Sequence, residues 1–376
     1  MPGFNRDSTG ATDQNVMFAD NYDFSGSAAP APQVSASGIL PIGTGGTPAI
    51  KPGVLTSPDG SIAIGYSTPN ITLQVSGGSQ YISLSPFIVG TDVHSSYTTI
   101  QAAINAAVAA GATNANPLNV YIKPKVGTPN YVENLTLAPG VNLIGFGQLP
   151  NIVGKMTYTQ AGQVYIQGVT LVTNSDFFLS VTGSAASIVV LDDCFLNCST
   201  TGINFTAANV SATITLNNCF GNLGVSGTLY SMTSTGQLFM DYCQIQNGGN
   251  STTASTSSAG NVRLFHCYTQ MPFSTSGTAI FGNHFGFIDC GGTNTTALTL
   301  NGSGQSNQQN CIFSSGTASS VSMGAAGNGT FTFCEFNSSN ANVLTGAGSM
   351  NYGFLTFSGS SSGHNLATMT AIPTLI

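Results

Sequence analysis

The chain has 376 residues, 41% of them hydrophobic and only 5% charged, with a formal net charge of −7. That apolar content is enough for a substantial core and excludes the low-hydrophobicity, high-charge signature of disorder. Beyond Lys155 the only Lys or Arg is Arg263, which argues against nucleic acid, because phosphate binding needs a basic stripe. The longest apolar runs fall short of the ~20 residues a membrane helix requires, so no membrane partner is expected.

Residues 1–90 are rich in Gly, Pro, Ser and Ala, as in Ala28-Ala29-Pro30-Ala31-Pro32. Two strand-like runs follow, Ser61–Tyr66 and Asn70–Val75, with Pro58-Asp59-Gly60 as a turn before them. This segment reads as an extended arm with a small β module, serving anchoring or assembly. The start of the chain, Met1–Asp7, lacks the charged and apolar regions of a signal peptide. The expected location is extracellular or in a virion.

One convincing helix comes next. Ser95 to Thr99 supply capping hydroxyls, Ile100, Ala103, Ile104 and Ala107 form an apolar stripe, and Gly111 can end it. Placed directly before a stack of strands, such a helix covers the otherwise bare first edge.

From there the chain is periodic. Cysteine stands at 194, 219, 243, 267, 290, 311 and 334, with gaps of 25, 24, 24, 23, 21 and 23 residues. Three and five places before the cysteines the chain is mostly apolar: Val189 and Leu191, Ile214 and Leu216, Leu238 and Met240, Val262 and Leu264, Phe285 and Phe287. Two places after come Leu196, Ile245, Phe313 and Phe336, with Gly221, Thr269 and Gly292 as exceptions. Alternation on both sides means a strand with one face buried, and a strand recurring every low-twenties residues predicts a solenoid. Val169, Ile144 and Ile122 extend the ladder backward and Phe357 forward, giving roughly eleven coils. The class is all-β, a parallel β-helix over 91–376 with a C-terminal tail. The cysteines are expected as stacked, reduced thiols acting as small hydrophobes. No Cys-x2-Cys pair occurs, so neither a metal nor a cofactor is expected.

The stretch Tyr97-Thr98-Thr99-Ile100-Gln101-Ala102-Ala103-Ile104-Asn105-Ala106-Ala107 resembles the capping helix of the pectin-lyase-like right-handed β-helix superfamily. The next segments, Val120–Pro124, Tyr131–Leu137 and Val141–Gly147, are similar to the opening coils of pectin methylesterases. The resemblance implies a right-handed parallel β-helix, an architecture implied equally for phage tail spikes and adsorption fibres. It does not extend to the catalytic motifs. The coils hold no Trp and no Gln-Asp dipeptide, and in Ala279-Ile280-Phe281-Gly282-Asn283 a Thr stands at 278 where the family motif wants an acid. No catalytic residue is carried over.

The ladder also orders the outward positions. One place before each cysteine come Asp193, Asn218, Tyr242, His266, Asp289, Asn310 and Phe333; two places before come Asp192, Asn217 and Asp241. Asp192, Asp193 and Asp241 on one face are candidates for an acid/base pair or an ion or glycan site, against the simpler reading of solvated positions. Three places after come Asn197, Asn222, Gln246, Gln270, Thr293, Ser314 and Asn337, expected as stacked amides at a turn. The function these features point to is a structural subunit of a phage fibre, tail spike or extracellular filament. It would self-assemble through its N-terminal arm, with surface polysaccharide as a further partner. The alternative is a secreted carbohydrate-active enzyme on the same fold. A groove gathering the three aspartates with aromatic rings would favour the enzyme.

Overall fold

The computed structural model describes residues 40–43, 50–53, 62–67, 70–75 and 87–371, apart from 93–94, 126–129, 174–176, 208, 225–226, 248–252, 292–294, 341 and 359–362. The chain divides into two compact units, Met1–Leu84 and Ser85–Ile376. In the first, Leu40–Gly43 pairs antiparallel with Ile50–Gly53, and Ile62–Ser67 pairs antiparallel with Asn70–Val75. The two strand-like runs of the sequence therefore form one hairpin. The alanine–proline segment and the Pro58-Asp59-Gly60 turn lie outside the described residues.

The second unit is a parallel β-helix with three strands per coil. One representative coil runs Ser187–Asp192, Phe195–Cys198, Thr201–Phe205. The second face of the coil stacks eleven parallel strands, from Asn130–Val132 to Thr356–Ser358, and the first and third faces join in a sheet of 22. Counted as full turns the solenoid has about nine, a little under the roughly eleven coils that the ladder predicts. The outermost strands of the eleven-stranded face are paired on one side only. Three of the outlying marks are also displaced. Ile122 pairs with Gly145, Ile144 pairs with Gln167, and Phe357 pairs with Phe336, so the slot equivalent to the cysteines is filled in the last of these coils by Leu355.

Alternation builds the core. Val164, Val189, Ile214, Leu238 and Val262 form one buried column, and Ile166, Leu191, Leu216, Met240 and Leu264 the next. The capping helix is Ile100–Ala109, and the four residues of its stripe are its buried ones. Thr99 accepts a hydrogen bond from the Ala102 N–H, and the Glu133 carboxylate accepts from the N–H groups of Ile100 at 2.9 Å and Gln101 at 3.2 Å. A carboxylate satisfies the orphan donors of a helix start and complements its dipole. The Gln101 amide oxygen accepts from the Thr136 N–H at 2.7 Å, while its amide nitrogen donates to the Thr136 carbonyl at 3.4 Å. One side chain thus stands in for the missing neighbouring strand at the edge. No helix among the described residues is long and apolar enough to cross a membrane.

The eight cysteines are buried and unpaired. Six of them occupy the predicted column, but Cys290 does not. It pairs with Ser315 on the second face, and the slot equivalent to the cysteines in its coil is Gly286, whose carbonyl accepts the Ile312 N–H while Phe287 N–H bonds back to the Cys267 carbonyl. The predicted frame for this coil is therefore shifted by four residues. Phe285 and Phe287, expected inside, lie outside, Phe285 at 51% exposure. The coil from Cys267 is short, and Cys290 happens to restore the average spacing. With Gly286 as the mark, Ile288 is the buried residue two places on, and the exception at Gly292 disappears.

Candidate functional site

The strand of the first face does not run through the cysteine. It breaks one residue before, in a left-handed corner. Asp193, Asn218, Tyr242, His266, Phe285, Asn310, Phe333 and Phe354 all have φ between 47° and 54°, and Gly168 has φ 65°. From Gly168 to Phe333 each corner N–H donates to a carbonyl of the next coil, for example Asp193 to Asn217 at 3.1 Å and Phe285 to Gln309 at 2.9 Å. Asn, Asp and Gly enter this region readily, whereas a bulky ring there costs roughly 1–2 kcal/mol. The backbone ladder over-determines the bend, so the coil imposes it on whatever residue the sequence supplies.

This corner decides the fate of the candidate aspartates. Asp192 and Asp193 sit on one coil and share partners. The Tyr165 hydroxyl donates to Asp192, the Gln167 amide reaches both carboxylates at 3.4 Å, and the Asn218 amide donates to Asp193 at 2.6 Å. Burial and then the hydrogen bond to Asp192 push the Tyr165 hydroxyl well above its ordinary range. Asp241 is not brought to them. Asp192 pairs with Asn217, which in turn pairs with Asp241, placing Asp241 two strand spacings away, about 9.6 Å along the stack. Its Oδ1 is buried without a hydrogen-bond partner. Among the described residues no group of three His, Cys, Asp or Glu could hold a metal ion.

The outward columns hold rings and amides instead. Beyond Asn218 the corner turns aromatic: Tyr242 stacks on His266 (4.7 Å, 14°), His266 on Phe285 (5.3 Å, 21°), and Phe333 on Phe354 (4.9 Å, 3°). His266 is therefore a member of the column. Phe285 replaces Asp289, which belongs to the second face beside Ser314. Neither Phe285 nor Phe354 is visible as a corner residue from cysteine spacing alone; the alternation of Phe281 and Asn283 with Phe285 is the signal that could have found the first. On the second face the predicted amides stand on the strands rather than at turns. Asn197, Asn222 and Gln246 are exposed, and Asp289 takes the position expected of Thr293, which lies outside the described residues. A shallow depression of about 150 Å³ is lined by Phe195, Phe220, Gly221, Asn222, Gln244 and Gln246. It holds none of the three aspartates.

No family model matches the chain, and no curated protein matches it. Two solved structures are similar to it. One is Escherichia coli YbhC, with 13% identity and a TM-score of 0.38, over 81% of this chain and 92% of the other. The other is a pectin methylesterase from carrot, with 11% identity and a TM-score of 0.37, over 77% of this chain and 88% of that one. Likeness at this level carries no activity to the present chain; the parallel β-helix is read from its own strand pairing.

Proposed function

We propose that this chain is a structural β-helix subunit of a phage fibre, tail spike or extracellular filament, assembling with copies of itself through residues 1–90 and contacting surface polysaccharide. The observation that carries the reading is the uninterrupted coil-to-coil ladder, eleven strands deep on one face, whose outward columns are rings, amides and hydroxyls with few charges. Such a stack resists bending, because each coil is hydrogen-bonded to the next along every face. Its surface suits neutral, hydroxyl-rich partners more than ionic ones. Deleting residues 1–85 should leave a folded, β-rich coil stack that no longer assembles. Light scattering and electron microscopy of the truncated protein check this; oligomers identical to those of the full chain would remove the assembly role.

One observation favours the enzyme reading, the paired carboxylates Asp192 and Asp193 held by Tyr165, Gln167 and Asn218. Hydrolysis of a polysaccharide by the wild-type protein that is lost in Asp192→Asn would support it. Equal treatment of the polysaccharide by both proteins would leave the structural role alone.

A further inference from the structure

The aromatic corner has one missing rung. Rings stand at Tyr242, His266 and Phe285, then at Phe333 and Phe354, but the coil between Phe285 and Phe333 carries Asn310 at the same left-handed position. Phe285 spends one face on His266 and Phe333 spends one on Phe354. Their other faces look toward each other across Asn310. Both rings are about half exposed, at 51% and 52%. Two strand spacings separate them, about 9.6 Å. That is two ring-to-ring steps of the kind seen elsewhere in the column, so one further ring between them would touch both faces.

We propose that this gap is a socket for a single neutral pyranose ring of a polysaccharide. The proposal rests on the glycan-contacting half of the function proposed above and gives it a location. A pyranose has apolar C–H faces and a hydroxyl rim, and the gap offers the complement of both. The walls are aromatic faces. The floor is the half-buried Asn310, whose amide has no hydrogen-bond partner among the described residues, and Asn307 and Gln309 stand exposed beside it. An aromatic side chain from another protein would fill the walls but leave those amides without partners. An acidic sugar would meet Glu335, adjacent to Phe333 on the neighbouring face, in a chain of net charge −7. Backbone cost supports the same reading. Phe285 and Phe333 occupy a conformation that favours Asn or Gly, so the rings are held where the backbone opposes them.

Saturation-transfer NMR on the full chain tests the socket, with neutral oligosaccharides of glucose, galactose, mannose and N-acetylglucosamine as probes. At least one series should bind. Asn310→Phe fills the gap with a residue type the corner already carries on other coils, and should weaken binding at least about tenfold, or about 1.4 kcal/mol. Phe333→Ala, which removes a wall, should do the same. Asn310→Gly leaves the socket open and should retain part of the affinity, and Phe220→Ala on another face should retain all of it. Binding to wild type that Asn310→Phe leaves unchanged overturns the socket while leaving glycan contact elsewhere intact. Absence of binding to any series overturns both. Loss of self-association in Asn310→Phe, read by light scattering, would assign the gap to a second copy of the chain and overturn the sugar.

Discussion

The coil marked by Cys267 and the coil marked by Gly286 follow the same backbone path but differ inside. In the first, Leu264 and Cys267 fill adjacent inward positions. In the second those positions hold Asn283 and Gly286. A Cβ on Gly286 would lie 2.1 Å from Asn283 Oδ1, so the amide occupies the space that the thiol fills elsewhere. Asn283 pairs in register with Gln308 on the next coil, and both are fully buried. The Gln308 amide donates to the Phe281 carbonyl at 2.9 Å, while both polar atoms of Asn283 and the Gln308 Oε1 have no partner. The backbone ladder, not the identity of the side chains, sets the register; side chains need only fill the same volume, here shared across two positions. The polar coil is the weaker one, since unsatisfied buried amides carry their desolvation cost.

The largest expected effect separates the two kinds of interior by pH. The thiol of Cys198, in the apolar coils, is pushed up to about 12 by burial from an ordinary value of 9.0. Burial likewise raises Tyr158, and Tyr131 with help from Glu133 and Asp92, to about 12. Folding thus favours the protonated forms. The stability they confer is fully present below pH 9 and is lost as pH rises toward 12, about 4 kcal/mol for Cys198 alone. Denaturant unfolding measured between pH 8 and 11 should show falling stability, and Cys198→Ala should flatten that slope. An unchanged slope in the variant would mean that this thiol titrates as freely folded as unfolded.

Next in size is a direct exchange of the two interiors. Gly286→Cys should cost about 3 kcal/mol by overpacking against Asn283. The double change Asn283→Leu with Gly286→Cys rebuilds the Leu264–Cys267 arrangement and should recover most of it, a coupling expected of side chains in contact. Thermal unfolding of the single and double variants measures the coupling. Additive losses would show that the two positions do not share one space.

These two coils also explain what could be read in the sequence. Period and alternation located the helix cap, the inward columns and the class of fold, because each follows from burial repeated at constant spacing. The register of one coil was hidden because Cys290, a second-face residue like Cys198, falls where the average period wants a column cysteine. The buried amides at 283 and 308 break the apolar pattern at the same place. The aromatic column was half visible, through Tyr242, His266 and Phe333. Its left-handed backbone was not, since all five of its members, Tyr242, His266, Phe285, Phe333 and Phe354, are rings rather than the Asn or Gly that the conformation favours. The separation of Asp241 from Asp192 follows from pairing between coils, which residue types alone do not encode.

A smaller effect tests the apolar interior itself. Cys243 Sγ donates to the Leu216 and Asp241 carbonyls at 3.3 and 3.4 Å amid buried hydrocarbon. Cys243→Ser should lower stability by about 1–3 kcal/mol, because a more polar group replaces the thiol there. Cys243→Ala should cost less. If neither variant shifts the thermal midpoint, the column does not bear on stability.

The smallest effect concerns the outside of the same coils, where the corner is polar at Asp193 and aromatic at Phe354 with equal backbone geometry, φ 50° and 53°. Placing a ring at Asp193 introduces strain without a stacking partner, since the neighbouring corner residues are Gly168 and Asn218. It also removes the 2.6 Å hydrogen bond from Asn218. Asp193→Phe should therefore cost about 1–2 kcal/mol. At Phe354 the reverse change relieves strain but loses the stack on Phe333, worth about 0.5–1.5 kcal/mol, so Phe354→Asn should be close to neutral. Unfolding curves for the two variants give the difference. If Asp193→Phe is neutral as well, rings carry no penalty at this corner, and the strain argument for a selected aromatic column falls with it.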